Sequence, residues 1–194
     1  MKYLIALLLC LLSEAASAQR KFEKEVRIRN RELSEQVPKS ALDFVDALPC
    51  DRRIRWYREE GYTGHSFEAK TKVKRQRISI EFSADGTFED IEVAISPKGV
   101  LKKEARSAME AYLKTSNGGY RIEKIQLQFS GDPELACKSF TAGAPQAGTT
   151  VRYEWVVSSK VDGEFVLFEY LFDEDGGFLQ RTQIDVVPAD NIEY

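Results

Sequence analysis

His65 is the sole histidine in a chain of 194 residues. A zinc centre or a Ser-His-Asp triad would have to be built on it. Zinc takes three or four ligands, and Cys50 and Cys137 have no ligand partner close in sequence. A triad needs a histidine oriented by a carboxylate and set beside a nucleophile. His65 and Ser66 are instead neighbours in a glycine-flanked turn, which does not supply that arrangement. Asp173-Glu174-Asp175-Gly176 has the acidity of a calcium loop. An EF-hand, however, needs Glu at its twelfth position, and counting from Asp173 that position is Ile184. The segment reads as a charged hairpin turn. Asp and Glu total 31, so carboxylate pairs for glycoside cleavage carry no information without geometry. The reading assigns no catalytic, metal or cofactor residue.

What remains is surface chemistry. Lys70, Lys72 and Lys74, with Arg75 and Arg77, form a basic stripe that alternates with Ala69, Thr71 and Val73. Such alternation is first a solvated strand face, and edge lysines also deter stray sheet pairing. Residues 19–80 carry 16 Lys+Arg against 10 Asp+Glu, whereas residues 161–194 carry one basic residue against nine acidic ones. The stripe therefore suits an acidic partner or a polyanionic envelope surface, or attraction between the two halves of the chain. The net charge is −3, which gives no reason to expect nucleic-acid binding.

The first eighteen residues form an address. Lys2 precedes an apolar run from Leu4 to Leu12, and Ala16-Ser17-Ala18 is a small-residue cleavage signal before Gln19. This is the grammar of a secretory signal peptide, and the run is shorter than the roughly 20 residues a membrane span needs. Cys10 lies inside the apolar run after Leu7, Leu8 and Leu9, without the small residue expected before a lipidated cysteine. A periplasmic or secreted product is expected, with Cys50 and Cys137 as its two cysteines. In an oxidising compartment these two can pair.

The elements that position these residues show an internal repeat. Phe82-Ser83-Ala84-Asp85-Gly86-Thr87-Phe88 recurs as Phe172-Asp173-Glu174-Asp175-Gly176-Gly177-Phe178. Asp-Gly between strand-like runs is a hairpin signal. Apolar spacing predicts helices over Pro38–Leu48 and Pro97–Leu113. Strands are predicted at 25–28, 53–58, 67–73, 76–82 and 88–95, then at 120–129, 151–158, 164–172 and 178–187. The fold class expected is α+β: two tandem units, 19–95 and 96–194, each an antiparallel sheet of about four strands with a helix across one face. Residues 130–148, rich in Gly, Ala, Ser, Thr and Pro, are expected to be a long loop inserted in the second unit.

Alternation assigns the two sheet faces. Ile54, Trp56, Phe67, Val73, Ile78, Ile80 and Phe82 face the core in the first unit; Arg55, Tyr57, Glu68, Lys70, Lys72, Arg77, Ser79 and Glu81 face away. In the second unit Ile125, Leu127, Phe129, Tyr153, Trp155, Val157, Phe168, Tyr170 and Phe172 face the core. Its far side holds Gln126, Gln128, Arg152 and Glu154, but also Val156, Phe165, Leu167 and Leu171. That apolar group needs cover or a partner.

The segments Ser66–Lys70, Ile80–Gly86, Val151–Glu154 and Leu171–Gly176, within a repeat spanning about residues 20–187, give the chain a resemblance to the PepSY-like domains of exported bacterial proteins. These are related in fold to the secreted beta-lactamase-inhibitor proteins. The resemblance implies a non-enzymatic role, without cofactor: binding or inhibiting a protein or peptide of the cell envelope. The expected contact residues on an open sheet face are Tyr57, Lys70, Lys72, Val156, Phe165, Leu167 and Leu171. The alternatives are a carboxylate-based envelope hydrolase and a structural module of an envelope complex.

Overall fold

A computed structural model describes residues 19–22, 24–48, 53–73, 75–96 and 102–185. The signal segment and Cys50 lie outside the described residues, so the leader and the Cys50–Cys137 pairing remain expectations from the sequence. The strands are β1 Gln19–Phe22, β2 Lys24–Ile28, β3 Arg55–Glu60, β4 His65–Val73, β5 Gln76–Phe82, β6 Phe88–Ala94, β7 Tyr120–Gly131, β8 Thr149–Val161, β9 Glu164–Asp173 and β10 Phe178–Asp185. The helices are α1 Leu33–Gln36, α2 Lys39–Asp46, α3 Lys103–Ser116 and α4 Pro133–Ala142. Among the described residues no helix is long and apolar enough to cross a membrane.

All ten strands join one sheet in the order β1-β10-β9-β8-β7-β6-β5-β4-β3-β2. Its two ends are consecutive in sequence: β1 pairs in parallel with β10, and β2 pairs antiparallel with β3. Strands β1 and β2 thus form opposite edges, and the sheet has to curl to bring two strands so close in sequence to its two ends. Contacts between the edges hold the seam. Tyr62, in the β3–β4 turn, donates to Asp185 Oδ2 at 2.5 Å and packs on Phe22 with ring centroids 5.5 Å apart. Arg20 donates to Asp185 Oδ1 at 2.7 Å.

The helices cover one face, as the alternation predicts. Ala41 and Val45 of α2 are buried with Trp56, Phe67, Ile78, Ile80 and Phe82. Ala105, Met109 and Leu113 of α3 are buried with Ile125, Trp155, Val157, Tyr170 and Phe172. Each Asp-Gly hairpin is docked on the start of a helix. Gly86 (φ +83°) leaves no room for a side chain, because an added Cβ would lie 2.4 Å from Ser40 Oγ and 2.5 Å from Pro38 Cβ. Gly176 (φ +86°) sits in the same way over α3, where a Cβ would lie 2.4 Å from the Ala105 carbonyl oxygen. Positive φ and close approach both demand glycine here. The Asp173 carboxylate accepts from the Gly177 and Asp175 N–H groups at 2.7 and 3.0 Å, as a turn-forming residue does.

Two expectations are corrected. The strands do not form separate sheets of about four; they form one continuous sheet. Residues 130–148 are not a structureless loop, because they contain α4. The Asp132 side chain caps that helix by accepting from Leu135 N–H at 3.0 Å, Pro133 occupies its first turn, and Gly143 ends it in the left-handed conformation. Ala136 is fully buried against the α2 side of the core, with Cys137 and Phe140 packed beside it. The helix forms because its caps and its apolar side agree. Small residues hide that pattern in composition. Burial pushes the Cys137 thiol pKa up to about 11, which makes it a poor nucleophile at neutral pH.

Gly176→Ala should therefore cost about 2–4 kcal/mol through strain and overlap with backbone. That corresponds to a thermal midpoint roughly 5–10 °C lower for a domain of this size. Gly118→Ala, with nothing within 4 Å of the added Cβ, should move the midpoint by less than about 2 °C. Calorimetry of the two variants checks this.

Candidate functional site: the curled sheet face

The face turned from the helices encloses a cavity of about 260 Å³, and every one of the ten strands lines it. Lys21 comes from β1, Glu25 from β2, Glu59 from β3, Glu68 and Lys70 from β4, and Glu81 from β5. Glu92 comes from β6, Lys124 and Gln126 from β7, Glu154 and Val156 from β8, Glu169 from β9 and Ile184 from β10. Seven glutamates thus meet three lysines, with two apolar side chains between them. Strand alternation explains the composition, since each of these residues lies next to one facing the core. Curling explains their crowding.

The glutamates divide by how they are neutralised. Carboxylate oxygens of Glu25, Glu59 and Glu68 lie within 4.8 Å of one another, and Lys70 serves this group. Its Nζ is 2.6 Å from Glu25 Oε1 and 2.9 Å from Glu68 Oε2, the latter an ion pair by distance rather than an aligned hydrogen bond. Burial works to lower the Lys70 pKa, but Glu25 and Glu68 more than offset it and hold the ammonium protonated. Lys21 pairs with Glu169. Glu81, Asp90 and Glu92 form a second trio within the same 4.8 Å limit, and among the described residues no Lys or Arg side chain forms an ion pair with it. Burial, and then Asp90, pushes the Glu92 pKa up to about 7. Burial, and then Glu154, does the same to Asp90, also to about 7. Glu81 keeps some solvent contact but is packed deep among other groups, and desolvation followed by Glu92 and Asp90 raises its pKa well above the usual carboxylate range. Glu154 is raised likewise by desolvation, Glu92 and Glu169.

Beside the cavity runs a groove of about 1450 Å³ with the opposite charge. Arg27, Arg53, Arg55, Lys72, Arg77 and Lys124 line it, with Lys70, Glu92 and Gln126 on its border with the cavity. The curled face is therefore charge-divided.

The residues singled out from sequence fall across this face without forming one patch. Val156 lines the acidic cavity. Lys72 lines the basic groove. Tyr57 is half-buried beneath Lys70, whose Nζ lies 5.0 Å from its ring centroid. Lys70 is committed to Glu25 and Glu68 and is not a free basic contact. Leu167 and Leu171 are half-buried, while Phe165 is 65 % exposed near the β8–β9 turn. The expected open apolar face is thus a rolled, largely polar one. Period-two alternation tells which side a residue faces but not how far the sheet bends. The sequence had placed Glu68, Glu81 and Glu154 on this side; Asp90 and Glu92, alternating with buried Ile91 and Val93, carried the same signal unread. His65 is exposed at the start of β4, edge-on to Phe67 with centroids 5.3 Å apart.

No protein-family model matches the sequence, and no curated protein matches it. Among solved structures, a BLIP-like protein (BF1215) from Bacteroides fragilis NCTC 9343 is similar over 81 % of this chain and 92 % of its own, at 16 % identity and a TM-score of 0.45. A likeness of that size leaves fold and partner to be argued from the chain itself.

The buried acids predict a pH dependence. In the folded protein Asp90 and Glu92 keep their protons up to about pH 7, while in the unfolded chain they lose them near about 4. Folding therefore takes up protons between these values. Stability from this source is full below about pH 4 and is lost as pH rises through 7. With about 1.4 kcal/mol per pKa unit, ionising Glu92 alone costs on the order of 3 kcal/mol. In EDTA-containing buffer the thermal midpoint should fall by several degrees from about pH 5 to about pH 8, and Glu92→Gln should flatten the slope. Asp85 acts oppositely and only at the acid extreme. Hydrogen bonds from Ser83 and Thr87 hold its pKa at about 2, so its contribution disappears as pH falls to that value.

Proposed function

We propose that this is an exported, non-catalytic binding protein that takes a protein or peptide partner of the cell envelope on its curled sheet face. The proposal includes its origin as two tandem PepSY-like units and a periplasmic or secreted location after cleavage near Ala18-Gln19. The matched docking of Gly86 on α2 and Gly176 on α3 favours the duplication. One observation carries the binding reading: an acidic cavity and a basic groove meet on one face along Lys70, Glu92, Lys124 and Gln126. Such a divided field orients a partner with the complementary pair of patches and speeds its encounter.

The test is capture from the envelope fraction with the tagged protein, comparing wild type with the double variant Arg55→Glu/Arg77→Glu. Both arginines are exposed, so the thermal midpoint should stay within about 2 °C. A partner held by the wild type should be lost in the variant and weakened by added salt. Capture unaffected by the reversal, or no partner at all, overturns the reading.

The hydrolase reading has one observation in its favour. Glu92 and Glu154 line one cavity, and burial, followed by the Glu92 charge, raises the Glu154 pKa well above the usual carboxylate range. Against it, the cavity offers Val156 and Ile184 but no aromatic surface for a sugar ring. Envelope glycans incubated with the protein should be recovered uncut; cleavage abolished by Glu154→Gln would make it an enzyme.

A further inference from the structure

We propose that Glu81, Asp90 and Glu92, together with the side-chain carbonyl of Gln126, form a binding site for a hard divalent cation of the calcium type. The carboxylate oxygens of the trio lie within 4.8 Å of one another. Two oxygens bound to one calcium at about 2.4 Å can be no farther apart than about 4.8 Å. All four side chains offer oxygen, the donor that calcium and magnesium prefer.

The independent pointer is Gln126. Its side chain lines the same cavity as Glu81 and Glu92, and the residue is only 2 % exposed. Its amide nitrogen donates to Glu92 Oε2, yet its carbonyl oxygen is buried without a hydrogen-bond partner among the described residues. Asp90, 8 % exposed, shows the same pattern: Oδ2 accepts from Gln128 Nε2 at 3.0 Å, and Oδ1 has no hydrogen-bond partner. Buried acceptors left over on an acidic trio call for a cation or a proton. The neighbouring trio supplies the contrast, because there the Lys70 ammonium does the neutralising from within the protein. The cavity's 260 Å³ leaves space for several waters at about 30 Å³ each, which would complete a coordination shell of six to eight oxygens.

The charged groups facing the trio are Glu59 on β3, Glu68 on β4, Glu89 on β6, Lys124 on β7, Arg152 and Glu154 on β8, and Glu169 on β9. Acids outnumber bases among them, so the surroundings of the trio favour a cation. This site does not depend on capture of a protein partner and is tested on the isolated protein.

Calorimetric titration of the purified, EDTA-treated protein with CaCl2 at about pH 7 should show saturable binding in the range of extracellular calcium modules, about 0.1–1 mM. A thermal-shift series should show a midpoint rise with CaCl2 that NaCl of equal ionic strength does not reproduce. Glu92→Gln should weaken binding by at least about tenfold, while Glu25→Gln, in the lysine-neutralised trio, should leave it within about twofold. The proposal fails if CaCl2 and MgCl2 at about 10 mM give neither saturable heat nor a specific midpoint rise. It also fails if the two variants weaken binding equally, since that is screening of the whole basin.

Discussion

Strands β1 and β2, close together in sequence, form the two opposite edges of the sheet, and the rest of the curled face depends on that constraint. Ten strands shielded by helices on one side would otherwise offer water a broad polar surface, where glutamates keep their ordinary chemistry. With one short stretch pairing to β10 at one end and to β3 at the other, the unshielded side turns inward. Side chains from ten strands then share one small volume. The Tyr62–Asp185–Arg20 contacts and the Phe22–Tyr62 packing hold the seam at the point where the edges approach.

Crowding changes the chemistry of those side chains. Removing a carboxylate from water is costly unless a counter-charge or hydrogen bonds replace the lost hydration. Lys70 and Lys21 meet that need for Glu25, Glu68 and Glu169. Glu81, Asp90, Glu92 and Glu154 lie deep beside one another, with Lys21, Lys124 and Arg152 offsetting only part of the cost, and they respond by holding protons to higher pH. Of the groove's basic residues, Lys124 also lines the cavity and offsets part of the shift at Glu92 and Glu154. The outcome is a surface with a strong internal polarity built from strands whose core sides are ordinary aromatic and aliphatic packing.

Much of the fold was legible in the sequence, because the strands carry a clear period of two. Trp56, Ile78, Ile80 and Phe82, and Trp155, Val157, Tyr170 and Phe172, are buried where their alternation placed them. The Asp-Gly hairpins and the long α3 were readable for equally local reasons. Two things were not. Helix α4 was masked by a stretch of small residues, although Asp132, Pro133 and Gly143 marked its ends. The curl was invisible because it depends on the pairing of Gln19 with Thr182 and of Glu25 with Glu59, which no local pattern encodes. Lacking it, Leu167 and Leu171 read as an open apolar patch and Glu68 and Glu81 as plain surface charge.

The parallel match of Gln19 with Thr182 also bears on how the chain reaches this state. Local hairpins such as β4–β5 and β8–β9 can zip as soon as their own residues are free to pair. The first strand has to wait for the last one, and loop closure over so long a span is among the slower steps of folding. Until then the carboxylates stay hydrated and cheap to ionise, and only the final joining of the two ends strips that water away. The protein would thus acquire its acidic interior late and all at once, after β10 has been made and joined to β1, and a variant that loosens that joint would keep its helices and hairpins while surrendering the interior.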